Sequence, residues 1–260
     1  MASMNITKSK FMEYIRCRRY PALNEIYSRK DLDDASKDRF YDLIDSLDNF
    51  DFNGDEDFLD PDLEHLSVMM PYFNEVEVLA ARKVMSEWHG ETQYGTKYGT
   101  QKLFLRDHNN FNLMCYVDIF NKQDSQVNII EVKATTSNKY MSMTYSENRT
   151  KYSIFFKDEQ GIIRLCEERD PSLLDNPKYM KKRERLKERF SDQGVYVYDL
   201  AFQRFVIEAD VKDAKYYLGV LNHEYEFDGT YFEGEPVYTN ESTCFIDFTR
   251  LTKEMMPRLE

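Results

Sequence analysis

Three charged residues lie in runs that are otherwise apolar. Asp118 closes the run Leu-Met-Cys-Tyr-Val-Asp, and Glu131 and Lys133 flank Val132 further along the chain. Burying a lone carboxylate is costly unless a cation or hydrogen bonds compensate it. Because alternate side chains of a strand share a face, Glu131 and Lys133 project together while Val132 packs inward. Two acids and a lysine on one face are suited to holding a hard divalent ion and acting on a phosphate.

The spacing of these residues predicts a hairpin. If the loop at 121–126 closes symmetrically, Asp118 pairs opposite Ile129, and Glu131 is its diagonal neighbour at roughly 7–8 Å. Two carboxylates at that separation can converge on one Mg²⁺ ion, which takes one or two carboxylates plus water and phosphate. Such an ion would polarise a scissile phosphate and lower the pKa of a bound water. Lys133 would orient that water or neutralise charge that develops on the phosphate.

The elements that must position these residues follow from the hydrophobic periodicity. Helices are predicted at 7–28, 35–48, 72–88, 176–191 and 194–209. Strands are predicted at 102–106, 113–120 and 128–134, as an antiparallel meander, and again at 214–222 and 243–248. The runs 151–157 and 161–166 remain open, and 49–64 and 90–99 are predicted loops. This order indicates an α/β fold with a mixed central sheet flanked by helices.

Length and composition favour one domain over residues 1–260, with a helical part at 1–90, a core at 100–225 and a C-terminal extension at 226–260. No apolar run is long enough to cross a membrane, and the N-terminus lacks the apolar stretch of a secretory signal. The four cysteines have no zinc-type spacing. A reduced, cytoplasmic protein is therefore expected.

The net charge of −12 is local, because residues 31–64 hold 14 acids and two bases and account for all of it. The acidity does not argue against a nucleic-acid partner elsewhere. Residues 178–189 hold seven bases and two acids. Either these bases are solvated surface, or a subset contacts the phosphate backbone of nucleic acid, namely Lys181, Lys182, Arg185 and Arg189.

Asp118, the twelve-residue gap and Glu131-Val132-Lys133 resemble the signature of the PD-(D/E)XK nucleases. The resemblance implies a restriction-endonuclease-like core and metal-dependent hydrolysis of DNA, including single-stranded DNA, with Mg²⁺ or Mn²⁺. Asp118, Glu131 and the Val132 carbonyl would hold the metal. Lys133 would position the attacking water.

Other segments are similar to the RecB-like branch of these nucleases. Residues 7–17 resemble its opening helix, and 217–222 resemble a late strand. Residues 198–203 resemble its helical motif, in which Gln203 would orient Lys133 or a phosphate. In an uncharacterised bacterial family of this branch, the module usually precedes an RNase H-like domain, so either such a domain is a partner beyond this chain or the chain is a stand-alone module.

Two positions depart from that branch. A histidine ligand is expected on the third helix, where this chain has Glu77, with Glu75 as its competitor. A glutamate there is chemically adequate for Mg²⁺ or Mn²⁺. The iron–sulfur cluster of CRISPR-associated relatives needs one early cysteine and three late ones, but this chain offers Cys17 and only Cys244 near its end. No cluster is therefore expected.

Three alternatives stay open. The acid-x-lysine triplet also occurs on solvated strand faces, and a nuclease fold can bind nucleic acid or protein without cutting. The third alternative is calcium binding, because 49–60 approaches the EF-hand loop pattern. Its first ligand position is Asn49, its last is Asp60, and no second hand accompanies it.

Overall fold

The computed structural model describes residues 4–16, 19, 63–95 and 101–259. Several sequence predictions lie outside these ranges. They are the helix at 35–48, the calcium-type loop at 49–60, Cys17 and nearly all of the acidic segment 31–64. Of the helix predicted at 7–28, only the first part is described, and it is helical.

The described residues form six α-helices. They are α1 (Lys8–Arg16), α2 (Leu63–Glu87), α3 (Asn138–Met141), α4 (Pro177–Glu184), α5 (Gly194–Ile207) and α6 (Thr249–Met255). The basic helix predicted at 176–191 is shorter than expected, because a 3-10 turn at Arg185–Lys187 follows α4. Asn176 caps α4 by accepting hydrogen bonds from two backbone N–H groups, and Pro177 opens it.

Fourteen strands accompany them in the same ranges. They are β1 (Met4–Ile6), β2 (Glu91–Tyr94), β3 (Lys102–His108), β4 (Phe111–Val117), β5 (Ile119–Gln123), β6 (Gln126–Thr136), β7 (Thr144–Glu147), β8 (Thr150–Ser153), β9 (Phe155–Lys157), β10 (Ile163–Leu165), β11 (Lys215–Leu221), β12 (Tyr231–Phe232), β13 (Glu235–Pro236) and β14 (Thr243–Asp247). The loop predicted at 90–99 is wrong over β2. This strand pairs antiparallel with β5, and the Thr92 hydroxyl accepts a hydrogen bond from Asn121.

The main sheet has seven strands in the order β2-β5-β6-β11-β14-β10-β9. It is mixed, since β6 and β11 run parallel while β5–β6 and β11–β14 run antiparallel. The mixed α/β fold expected from the sequence is therefore present. The segment 226–260, expected as an extension, contributes β14 to the interior of this sheet between β11 and β10.

The strand predicted at 113–120 is two strands. A bend at Asp118 separates β4, which joins β1 and β3 in a three-stranded sheet, from β5, which enters the main sheet. The predicted three-stranded meander is therefore wrong, because β3–β4 and β5–β6 are hairpins of different sheets. The bend places the Asp118 side chain where the two sheets part.

Helices cover both faces of the main sheet. On one face, Val76, Ala80 and Val84 of α2 pack in a cluster with Ile130 and Val132 of β6. The other face is covered by α5, which is buried all round, and by α6, together with the larger part of the core. β6 lies between these layers, and its residues from Val127 to Lys133 are all buried, as expected of a central strand. No helix in the described ranges is long and apolar enough to span a bilayer.

Candidate active site

The β5–β6 hairpin positions the predicted acids and lysine. Its turn is two residues long, so Ile119 pairs with Ile130 and Phe120 with Ile129. The predicted pairing of Asp118 with Ile129 is therefore wrong by register. Continuing the ladder by one residue brings Asp118 opposite Glu131, closer than the diagonal placement expected from a longer loop.

Asp118 sits at the bend with its carboxylate turned into the protein. One oxygen accepts a hydrogen bond from the Val132 N–H at 2.8 Å, and the other accepts one from the Gln101 amide at 3.1 Å. These two donors fix the carboxylate beside the β6 backbone. The Val132 N–H thus binds Asp118, and Val132 itself is buried.

The electrostatic surroundings of Asp118 are acidic. Burial and the charges of Glu131 and Glu77 raise the pKa of the Asp118 carboxyl well above its ordinary value. The Lys8 ammonium acts in the opposite direction but does not cancel the rise. The carboxylates of Glu131 on β6 and Glu77 on α2 are therefore close enough to disfavour the ionised form of Asp118.

Glu131 is the best-compensated acid of the group and is only 1% exposed. Its Oε1 lies 2.5 Å from the Lys8 ammonium and 3.0 Å from the Lys133 ammonium. Its Oε2 accepts a hydrogen bond from the Gln203 amide. Burial alone would raise the pKa of Glu131, but Lys8 and Lys133 outweigh it and lower the pKa to about 2.

Lys8 is a site residue that the sequence interpretation did not identify. It opens α1, where the Thr7 hydroxyl accepts a hydrogen bond from the Lys10 N–H and where Phe11 stacks on Phe202 of α5, with ring centroids 4.7 Å apart. A cation in the first turn of a helix opposes the helix dipole. Only the similarity of residues 7–17 to an opening helix pointed to this segment.

The helix α5 contributes two polar side chains to the site. Asp199 lies 3.4 Å from the Lys133 ammonium, and Gln203 donates to Glu131 as described. Both side chains are buried. The Gln203 amide oxygen has no hydrogen-bond partner among the described residues, although it is fully buried. Buried polar atoms usually have a partner, so this oxygen is suited to a donor that the chain itself does not supply.

Glu77 and Glu75 occupy different places on α2. Glu77 is half-buried and close enough to Asp118 to raise its pKa. Glu75 is exposed and lines a cleft with Tyr238. Of the two competitors for the helical ligand, Glu77 is therefore the one near the other acids. We call these site residues the Glu131 cluster: Lys8, Glu77, Asp118, Glu131, Lys133, Asp199 and Gln203.

The four basic residues expected to contact nucleic acid are not brought into contact with this cluster. Lys181 and Lys182 are on α4, Arg185 opens the following 3-10 turn, and Arg189 stacks over Phe190. Within the described residues, none of the four forms an ion pair or hydrogen-bonds to the Glu131 cluster. Arg183 of the same stretch is instead buried in a pair with Glu167.

The donor set suits a hard cation, since it combines carboxylate oxygens with the unpartnered amide oxygen of Gln203. The present conformation is not a finished metal site. Among the described residues, no three His, Cys, Asp or Glu side chains are grouped closely enough to hold a metal ion. The Lys8 ammonium would have to leave Glu131 for a metal to bind that oxygen.

Comparison with protein-family models, with curated proteins and with solved structures gives no match for this chain. The function must therefore be argued from the Glu131 cluster itself.

Proposed function

We propose that this chain is a metal-dependent nuclease that hydrolyses DNA phosphodiester bonds, with a restriction-endonuclease-like core of the RecB-like PD-(D/E)XK type. One observation carries the proposal. The β5–β6 hairpin holds Asp118 beside Glu131. Lys133 is on the same buried face and lies within hydrogen-bonding distance of Glu131. Two-carboxylate hydrolysis of a phosphodiester uses these groups, namely two acids and a lysine held together by a hairpin.

Each residue has a role in this proposal. Asp118 and Glu131 would hold Mg²⁺ or Mn²⁺, with Glu77 as third ligand and the Val132 carbonyl as a further candidate. A bound ion supplies charge for the scissile phosphate and a water of lowered pKa. Lys133 orients the attacking water or neutralises charge on the phosphate oxygens.

The two buried polar side chains of α5 contact Lys133 and Glu131. Asp199 lies 3.4 Å from the Lys133 ammonium and would orient it toward the site. Gln203 holds Glu131, and its free oxygen can accept a hydrogen bond from a water or a substrate group. Lys181, Lys182, Arg185 and Arg189 would contact the phosphate backbone at a distance from the cluster.

A second candidate is a nuclease fold that binds nucleic acid or a protein without cutting. It is favoured by the engagement of both Glu131 oxygens with side chains of the chain itself. If Lys8 stays on Glu131 when a divalent ion is present, the metal lacks its main ligand and hydrolysis fails. An RNase H-like domain outside this chain remains a proposed partner under either candidate.

Cleavage of labelled single- and double-stranded DNA with Mg²⁺ or Mn²⁺ tests the proposal. We expect the wild type to cut, and Asp118→Asn, Lys133→Met and an EDTA-treated sample to be inactive while DNA binding persists. Lys122→Met is the matched control, because Lys122 is an exposed lysine on the neighbouring strand β5, and it should cut normally. Binding without cleavage under all metal conditions would favour the second candidate. Cleavage by Lys133→Met at the wild-type rate would overturn the lysine mechanism.

A further inference from the structure

The segment that joins β11 to β14, residues 222–242, is a surface loop rich in aromatic residues. Four large side chains on it are solvent-exposed: Phe227 at 36%, Tyr231 at 62%, Phe232 at 68% and Tyr238 at 37%. Three of them form one group, since the Phe227 ring lies 5.4 Å from that of Tyr231 and 5.5 Å from that of Tyr238, and Phe232 follows Tyr231 on the same strand. Grouped exposed aromatics on a surface often mark an interaction site. We call these four residues the aromatic patch.

Strand pairing and hydrogen bonds hold residues 222–242 in a defined conformation. The short strands β12 and β13 pair with each other, and the Val237 N–H donates to the Thr230 carbonyl at 2.9 Å. The Thr230 N–H in turn donates to the Asp228 carboxylate. Gly234 turns the chain between the two strands with a φ of 89°, a conformation that glycine adopts without strain. The aromatic patch is thus held in a defined arrangement.

The charge of the same segment is entirely negative. It contains six acids and no lysine or arginine: Glu224, Glu226, Asp228, Glu233, Glu235 and Glu241. Glu224 pairs with Lys157, and Glu241 with Lys83. The other four form no ion pair with any described residue. Phosphate groups would be repelled here, so the aromatic patch is unsuited to stacking nucleic-acid bases.

A cleft of about 420 Å³ runs beside this surface, between α2 and the strand β13. Pro236, Val237 and Tyr238 form one wall, and Val78 and Leu79 contribute apolar surface to the other. The four carboxylates and the exposed aromatic faces share one segment, and at Tyr238 this segment adjoins the cleft, whose lining also includes Asn74, Glu75 and Arg82. Arginine suits this combination, because its planar guanidinium stacks on aromatic rings and pairs with carboxylates.

We propose that the aromatic patch and its four unpaired acids dock an arginine-containing basic segment of a partner protein. The occupant is identified by charge complementarity, since a cation is attracted both by the carboxylates and by the ring faces. Lysine carries the same charge but no plane to stack, so arginine is preferred over lysine. The proposal is independent of the nuclease function, because no residue of the Glu131 cluster takes part.

Fluorescence anisotropy on the whole protein tests this docking surface. The probes are labelled decapeptides in which glycine alternates with arginine, with lysine or with glutamate. We expect the arginine peptide to bind more tightly than the lysine peptide and the glutamate peptide not to bind. Phe232→Ala removes the most exposed ring, which makes no ring contact with described residues, and should weaken arginine-peptide binding about three- to fivefold.

Charge reversal supplies the matched control. Glu226→Lys with Glu235→Lys should weaken binding about tenfold, whereas Glu159→Lys with Asp210→Lys, which changes the net charge equally at exposed sites elsewhere, should weaken it less than about twofold. Equal loss in both double variants would overturn the proposal, since attraction would then be general. Equal binding of arginine and lysine peptides, unaffected by Phe232→Ala, would also overturn it. The wild type could also be a dimer that the double variant Glu226→Lys with Glu235→Lys dissociates. A second copy of the chain would then be the occupant, and the proposal would be overturned.

Discussion

Replacing Lys8 by methionine tests whether α1 belongs to the Glu131 cluster. The Lys8 and Glu131 side chains are 11% and 1% exposed, and their charged atoms are 2.5 Å apart. Removing one partner of a buried ion pair costs about 3–5 kcal/mol when the other charge is left uncompensated. Here Lys133 still lies 3.0 Å from Glu131, so the loss should be about 2–3 kcal/mol. Methionine keeps the length of the side chain and so limits the loss of packing.

A second effect opposes this loss. Removing a cation from the first turn of α1 relieves its repulsion with the helix dipole, by about 0.3–1 kcal/mol. The net decrease in the free energy of unfolding is therefore expected at about 1–2.7 kcal/mol. For a chain of this size, that corresponds to a fall in Tm of about 2–11 °C.

Urea and thermal unfolding in EDTA measure this change. Lys253→Met is the matched control, because Lys253 is exposed on α6, and its effect should stay within about 0.5 kcal/mol. Under the proposed function, Mn²⁺ and Lys8 compete for the same Glu131 oxygen, so Lys8→Met should bind Mn²⁺ more tightly and recover more stability on its addition. A Lys8→Met protein as stable as wild type would refute the buried pair. An unchanged Mn²⁺ affinity in a destabilised variant would refute the competition alone.

Three further outcomes concern groups elsewhere in the fold. Arg183→Met should lower the free energy of unfolding by about 3–5 kcal/mol in urea titrations, because it leaves the fully buried Glu167 carboxylate without its bidentate partner. Burial alone would raise the pKa of Glu254, but hydrogen bonds from Arg183 and Lys187 lower it to about 2. Its stabilising effect is thus complete above its ordinary value of 4.5 and lost as the pH falls toward 2, so Glu254→Gln should flatten this part of the stability–pH curve. Gly194→Ala would place a Cβ 2.1 Å from a backbone carbonyl at the start of α5 and should destabilise the chain by at least about 1–3 kcal/mol, seen as a lower urea midpoint.

The part of the site that lies within one hairpin could be predicted from the sequence. The alternation along β6 placed Glu131 and Lys133 on one face with Val132 on the other, and the structure has the first two near α5 and the third in the α2 cluster. The length of the turn could not be predicted, because it depends on the conformation of Asp124. This residue is left-handed, with a φ of 49°, and the two strands therefore pair up to a two-residue turn. That difference shifted the register, so that the ladder, continued past Ile119 and Ile130, leads to Asp118 and Glu131.

Contacts between residues that are far apart in the chain could not be predicted from the sequence. Lys8 meets Glu131 across 123 positions of the chain, and no local pattern encodes that contact. The same limit applies to β14, whose position between β11 and β10 depends on the order of strands in the sheet. The bend at Asp118 was hidden for another reason, since a single acid within the otherwise apolar run 113–120 does not by itself mark a change of sheet. Periodicity reports burial, and both of these strands are buried on one side.

Two acids of this chain, the fully buried Glu167 and the half-buried Asp118, differ in how the fold compensates them, and this difference supports the proposed function. Glu167 has donors on both oxygens, from Arg183 and from the Tyr179 hydroxyl, so it is matched within the fold. Asp118 is also turned inward, yet desolvation and then the charges of two neighbouring carboxylates raise its pKa, so its ionised form is destabilised by the fold that holds it. A protein interior gains nothing from that arrangement unless something outside the chain compensates the charge. A divalent cation would do so, and it would then stabilise the folded chain in proportion to its concentration over its Kd.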